Sequence, residues 1–179
     1  MLTTEFLSLD RFSDYGHWLK AQDPETIHEY FGCHFNYDGI DSLVEKWRQK
    51  PLQNFILVAK LNNFWAGTIH IAAHEKSVEF GIIVALQYRK QGIATLMMDE
   101  AITWARNRLY TNLYMHCICS NHAIKKLCEK HHLEIKSMMG DSEGSLALPP
   151  PTPITYFIEH ARISKQNWDK LLRFSQFSF

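Results

Sequence analysis

The hexapeptide Arg89-Lys90-Gln91-Gly92-Ile93-Ala94 is the stretch of this chain best equipped for chemistry. It joins an apolar, strand-like segment, residues 78–84, to an amphipathic segment of helical period, residues 93–109. A glycine turn therefore falls at a helix N-terminus, where several backbone N–H groups lack intrahelical partners and the dipole presents its positive end. That combination suits a pyrophosphate. Gly92 lets the backbone approach a ligand closely, and Arg89 and Lys90 can neutralise phosphate charge from the rim. Neither a GxxxxGK[ST] nucleotide loop nor a GxGxxG dinucleotide turn is present. Metal chemistry finds less support. The ten histidines include no HExxH and no paired Cys/His spacing. Cys33, Cys117, Cys119 and Cys128 form no CxxC pair and read as small buried hydrophobes, so no metal is expected.

The elements that must position this loop follow from periodicity. Residues 5–10 alternate like a first strand, and helical stretches follow near residues 11–21 and 40–49, with Pro24 and Gly32 punctuating the segment between them. Residues 54–61 form an apolar strand. Asn62-Asn63 reads as a hairpin turn into residues 64–74, and a second turn leads to residues 78–86, which completes a meander that runs into the loop. In the helix after the loop, Ile93, Leu96, Met97, Ala101, Trp104, Ala105 and Leu109 share the face toward a sheet. Residues 111–119 are a further strand, 121–131 a helix and 133–138 a strand. A polar, proline-rich loop is expected over residues 140–153, then a last strand over residues 154–163. Residues 164–173 read as a C-terminal helix that ends in an aromatic tail.

Composition bounds the function. At 179 residues the chain is long enough for one domain with its own core. Nineteen basic residues balance nineteen acidic ones, which removes the bulk field expected of a nucleic-acid or anionic-membrane partner. No secretory leader pattern is seen at the N-terminus, and no apolar run approaches the roughly 20 residues needed to span a bilayer. A cytoplasmic protein is the expectation.

The pattern R-x-x-G-x-A, with IIVALQY before it and TLMMDEAITWA after, resembles the acetyl-CoA loop of the GNAT superfamily of N-acetyltransferases. Residues 120–133 (SNHAIKKLCEKHHL) are similar to that family's N-x-x-A-x-x-L-Y-E-K-x-G-F segment in matching register. Departures occur at Ile124 for a small residue, Cys128 for tyrosine, His132 for glycine and Leu133 for phenylalanine. Ala94 stands where the loop usually ends in glycine, and Leu86 at a frequent proline position.

The resemblance implies an α+β, GNAT-like fold: a central mixed, mostly antiparallel sheet flanked by helices, with two central parallel strands splayed apart. The resemblance covers residues 5–163 and implies an acetyltransferase domain over residues 1–163, with residues 164–179 as a helix and tail of the same domain. It further implies acetyl-CoA as co-substrate and no metal. The backbone of Ile82, Ile83 and Val84 would hold the pantetheine amides. Arg89, Lys90, Gln91, Gly92, Ile93, Ala94 and Thr95 would hold the pyrophosphate. Asn121 would either bond the pantetheine or cap the helix that it begins.

By the same resemblance the acetyl group passes directly to an amine. Glu79 is the preferred general base. His116 is the rival, at the position where ribosomal-protein alanine acetyltransferases carry a glutamate. Cys128 stands where many members use a tyrosine to protonate the departing thiolate, and its other reading is a packing cysteine. The expected activity is N-acetylation of a primary amine on an unidentified small molecule or peptide. The alternative is a non-enzymatic acyl-CoA-binding or sensing domain, for which the missing tyrosine speaks. Asp38, Asp41, Asp141 and Glu143 fall in segments that flank the acceptor cleft in this fold and favour a cationic acceptor. Trp168, Leu171, Leu172, Phe174, Phe177 and Phe179 carry enough apolar surface to pack on the sheet or to join two copies, which leaves a monomer or a homodimer.

Overall fold

The computed structural model describes residues 1–33, 37–118, 120–138 and 141–176. Seven strands form one sheet: β1 (Leu2–Phe6), β2 (Asn54–Leu61), β3 (Phe64–His74), β4 (Ser77–Val84), β5 (Asn112–Ile118), β6 (Glu134–Met138) and β7 (Asp141–Ala147), in the order β1-β2-β3-β4-β5-β7-β6. The helices are α1 (Phe12–Lys20), α2 (Pro24–Phe31), α3 (Tyr37–Arg48), α4 (Ile93–Asn107), α5 (His122–Lys130) and α6 (Pro153–Gln176). Among the described residues, no helix is long and apolar enough to cross a membrane.

Strands β2 to β4 are buried on both faces, which is why they read as apolar runs. Leu57, Ala59, Val78, Phe80 and Ile82 pack with Met97, Ala101 and Trp104 of α4. Ile56, Val58 and Ile83 point the other way, into a second core with Phe12, Tyr15 and Leu19 of α1 and Ile40 and Val44 of α3. The β2–β3 hairpin turns on Asn62 and Asn63, both at positive φ, as a tight hairpin requires. Every neighbouring pair of strands is antiparallel except β4 and β5. Those two are parallel and pair only from Ser77–Asn112 to Glu79–Tyr114. Beyond that point they part, which gives the mixed sheet and splayed centre implied by the resemblance.

Five expectations need correction. The first strand is Leu2–Phe6, not residues 5–10, and residues 9–11 make a 3-10 turn that leads into α1. Pro24 and Gly32 do not merely punctuate, because they are the two ends of α2. Asp23 caps the helix by accepting from Thr26 N at 2.9 Å, Pro24 occupies the first turn, and Gly32 closes it at φ +71. The polar loop expected after residue 140 contains β7, inserted between β5 and β6. At Gly144 this strand runs close under α5, and a Cβ there would lie 3.0 Å from the Cys128 sulfur.

The strand expected over residues 154–163 is the first half of α6. Thr152 and Thr155 cap it reciprocally, the Thr155 N–H donating to Thr152 Oγ1 at 3.3 Å and the Thr152 N–H to Thr155 Oγ1 at 3.0 Å, and Pro153 starts it. The helix runs unbroken through Ile163 and Ser164. It packs on α4 and β1 with a polar face: Asn107 donates to Glu159 at 2.6 Å, and Gln166 to Thr4 at 3.3 Å. Ile154 and Phe157 are exposed. The side chains of Trp168, Leu171, Leu172 and Phe174, and Phe177 and Phe179 entirely, lie outside the described residues. Leu109 does not face the sheet, since it follows the end of α4 at φ +65 and is exposed.

Candidate active site

After β4 the chain makes a 3-10 turn over Leu86–Tyr88 and swings into α4 through two left-handed residues, Lys90 at φ +62 and Gly92 at φ +76. Leu96 N is the first amide bonded back to this turn, donating to Gly92 O at 3.0 Å. The preceding amides at the start of α4 therefore face outward without intrahelical acceptors. A Cβ at Gly92 would meet nothing within 4 Å, so the space above the loop is open. A cavity of about 600 Å³ runs from there into the gap between β4 and β5. Its walls include Ile82, Ile83 and Val84 on one side and Asn121 on the other, with Arg89, Lys90, Gly92, Ile93, Ala94 and Thr95 at its end. An anion-ready helix end that opens into a long, mainly apolar slot fits a diphosphate attached to an extended arm.

Some expected residues take different parts. Gln91 is exposed and does not line the cavity. Arg89 does not sit free on the rim. Its guanidinium donates to Thr26 Oγ1 at 2.7 Å, lies 3.4 Å from Glu29 and reaches the Val84 carbonyl at 3.3 Å, tying α2 to the end of β4. Asn121 is buried and caps α5, accepting from Ile124 N at 3.1 Å. The side chains of Ile82 and Ile83 belong to the two cores, so only their backbone is offered to a ligand. Lys126 and Lys130, four apart on α5, line the same cavity and add positive charge that the sequence reading did not single out.

Where β4 and β5 part, a second cavity of about 490 Å³ opens on the α1–α3 side of the sheet. Glu79 and His116 line it, together with Glu29, Phe31, Trp47 and His70. Glu79 is exposed on β4, on the face opposite Val78 and Phe80. His116 is not an inward core residue. Its side chain is 54% exposed, and Nε2 lies 3.6 Å from Glu143, its partner across the β5–β7 ladder.

His70 is buried, stacked on Trp47 with ring centroids 3.9 Å apart, and its Nε2 lies 3.0 Å from Asn54 Oδ1. Burial pushes its pKa down to about 4, which leaves the ring neutral at physiological pH. The acidic groups that face this cavity are Glu29 and Glu79. Asp41 instead pairs with Lys20 at 2.7 Å and lies outside it, and the side chain of Asp141 is outside the described set.

Cys128 lines neither cavity. It is buried with its sulfur 4.0 Å from Met115 Sδ and against Gly144, and burial pushes its thiol up to about 11. Of its two readings, this environment is the packing one. Cys33 is exposed and Cys117 half-buried, so burial of the cysteines holds fully only for Cys128 among those described. No group of three or more His, Cys, Asp or Glu side chains among the described residues is arranged to hold a metal ion.

Two residues of α2 line both cavities, Glu29 and Tyr30, and the sequence reading singled out neither. Tyr30 is the more closely held. Its ring rests on the backbone of β4: a Cβ at Gly81 would lie 3.0 Å from the phenolic oxygen. Its hydroxyl is 3.0 Å from that of the fully buried Tyr15.

A parted parallel pair in an otherwise antiparallel sheet, an anion-ready helix end and a second cavity that meets the slot define an acyl-transfer architecture. A family profile described as an acetyltransferase (GNAT) domain matches residues 7–134, so the chain belongs to the GNAT acetyltransferases. It is an acetyl-CoA-dependent N-acetyltransferase.

Among solved structures it is similar to a GNAT-family acetyltransferase from Streptococcus pneumoniae, with 16% identity, TM-score 0.66, and coverage of 83% of this chain and 100% of that one. It is similar to spermidine N-acetyltransferase from Vibrio cholerae in complex with CoA and spermine, with 15% identity, TM-score 0.66, and coverage of 82% and 95%. A third similar structure is the Salmonella typhimurium acetyltransferase that modifies the N-terminal serine of the 50S ribosomal subunit protein L7/L12, with 14% identity, TM-score 0.66, and coverage of 82% and 96%. A search of curated protein sequences finds no significant match.

Proposed function

We propose that this chain works in the cytoplasm and acetylates a primary amine on a cationic small molecule or peptide, with Glu79 as general base and without a nucleic-acid or membrane partner. The observation that carries the reading is the meeting of the two cavities where β4 and β5 part, with Tyr30 and Glu29 in both walls. One cavity offers helix amides, Arg89, Lys90, Lys126 and Lys130 to phosphates. The other offers carboxylates, aromatic rings and a neutral histidine to an ammonium group. Neutrality of His70 matters here, because a charged imidazole would repel that group.

Acetyl-CoA supplies the acetyl group as a thioester. An alkylamine holds its proton to about pH 10, so the nitrogen needs a base before its lone pair is free. Glu79 takes that proton directly or through a water, and His116 with Glu143 is the second candidate. The nitrogen lone pair forms the bond to the acetyl carbon, the carbon–sulfur bond breaks, and sulfur leaves with the electron pair. A thiol of ordinary pKa near 8.5 is a fair leaving group, and the second proton that the nitrogen sheds as it becomes an amide passes through water to the departing thiolate. Cys128, with its raised pKa and buried sulfur, has no part in this scheme.

The test is release of CoA thiol from acetyl-CoA across a panel of amines and peptides, with purified protein. Glu79→Gln should lower kcat with acetyl-CoA affinity intact and weaken the acidic limb of the pH–rate profile, whereas His116→Ala should do less. A profile unchanged in the first variant and altered in the second would transfer the role to His116. No turnover with any amine would remove the reading.

A further inference from the structure

We propose that Tyr30 is the side-chain donor that polarises the acetyl carbonyl, giving a hydrogen bond to its oxygen where the two cavities meet. The proposal rests on the reading above, since it presumes that the acetyl end of the co-substrate reaches this junction. Three observations carry it.

The first is position. Tyr30 lines both cavities, and its ring lies flush against β4 at Gly81 because that residue has no side chain to hold it off. Glycine inside a strand often marks such a close approach. The second is where the phenolic proton goes. The Tyr15 hydroxyl lies in the core at zero exposure, with the Tyr30 oxygen 3.0 Å away. A buried hydroxyl has to place its proton on an acceptor. If Tyr15 donates to Tyr30, the Tyr15 proton is satisfied and the Tyr30 proton is left for the cavity. The reverse arrangement would turn the Tyr15 proton to its other polar neighbour, the Thr68 hydroxyl, which is itself fully buried and would then need a further acceptor for its own proton.

The third is charge. Burial, with the Glu79 carboxylate nearby, pushes the Tyr30 phenol up to about 12, so it stays a donor through the physiological range. Glu79 and Tyr30 then have separate tasks. The carboxylate removes the ammonium proton. The phenol steadies the carbonyl oxygen as the amine adds and negative charge gathers there, keeping its own proton as the carbonyl re-forms and sulfur departs. A donor fixed by a second buried hydroxyl needs no reorganisation when that charge appears.

The test compares the binding of acetyl-CoA with that of S-ethyl-CoA, a thioether of the same length that lacks the carbonyl oxygen, by calorimetry on the full chain. Wild type should prefer acetyl-CoA about 3- to 10-fold, the range of one neutral hydrogen bond. Tyr30→Phe should lose the preference while keeping its affinity for S-ethyl-CoA, which a merely structural role would not do. Its kcat should fall about 100-fold or more. Should Tyr30→Phe fail to fold, Gly81→Ala carries the test, because its methyl displaces the phenol without deleting it and should abolish the same preference. A preference retained in Tyr30→Phe overturns the proposal and leaves the co-substrate reading standing. A wild type that binds neither ligand overturns both.

Discussion

Acidification should cost this fold stability through one ring. His70 is held on β3 by the Trp47 stack and by Asn54, whose side-chain amide donates to Lys50 O at 3.1 Å and so turns its oxygen toward the imidazole. The ring nitrogen facing that oxygen must carry the proton, which assigns the neutral Nε2–H tautomer. Burial lowers the pKa from 6.5 to about 4.

The folded state thus binds the second proton less readily than the unfolded chain. Above pH 6.5 both states are neutral and the stability is full. As the pH falls below 6.5 the unfolded chain takes up a proton that the folded protein refuses, and stability drops until the folded ring titrates near pH 4. With about 1.4 kcal/mol per unit, the whole window is worth ~3 kcal/mol, a substantial part of a typical domain stability of about 5–15 kcal/mol. Urea denaturation of wild type and His70→Gln, from pH 7.5 to 4.5, isolates the effect, because the other titrating groups cancel in the difference. The free-energy gap between the two proteins should shift against wild type by most of that amount. Parallel pH dependences in the two proteins would refute the argument.

Two further substitutions separate the binding loop from the core. Gly92→Val forces a β-branched residue into a left-handed conformation at φ +76. It should abolish the thermal shift produced by saturating acetyl-CoA while costing the unliganded protein only about 1–2 kcal/mol, and a full shift in the variant would contradict the assigned loop. Cys128→Ala should lower stability by about 1 kcal/mol in urea denaturation and leave kcat unchanged. A large loss of kcat would restore the acid role to the thiol.

The sequence was most legible where burial or backbone conformation imposes a pattern. Strands β2 to β4 are covered on both faces and so read as apolar runs, and Asn62-Asn63 and Gly92 mark left-handed positions that few residues accept. Legibility failed where a small or branched residue answers to a neighbour distant in sequence. Gly144 and Ser142 make β7 look like a loop, although Gly144 is small where it fits against Cys128 of α5 and Ser142 bonds to Ser137 of β6 at 3.0 Å. Ile154, Thr155 and Ile158 suggest a strand, but the reciprocal Thr152 and Thr155 cap and Pro153 start a helix. Asp23-Pro24 with Gly32 was a readable pair of helix ends for α2. Tyr30 carried no local signal at all, and the trace of its position was Gly81, a glycine inside an apolar strand.

The helix overlooked in the sequence is the one that couples the two halves of the site. Thr26, Glu29 and Tyr30 stand at i, i+3 and i+4 on α2 and so share one face. Thr26 and Glu29 hold the Arg89 guanidinium, and through it the end of β4 where the binding loop begins. Tyr30 lies on the same strand farther back, at Gly81. A shift of α2 therefore moves the loop and the junction of the cavities together. The cap that fixes α2 answers to this arrangement as well: the bonds from Thr26 chiefly, with the nearby Arg89 charge, hold the Asp23 carboxyl below its usual range. Because the guanidinium is partly engaged by Thr26 and Glu29, we infer that the phosphates of a bound ligand depend more on the helix amides and on Lys90, Lys126 and Lys130. Arg89 is thus better described as the latch between α2 and β4 than as a free rim cation.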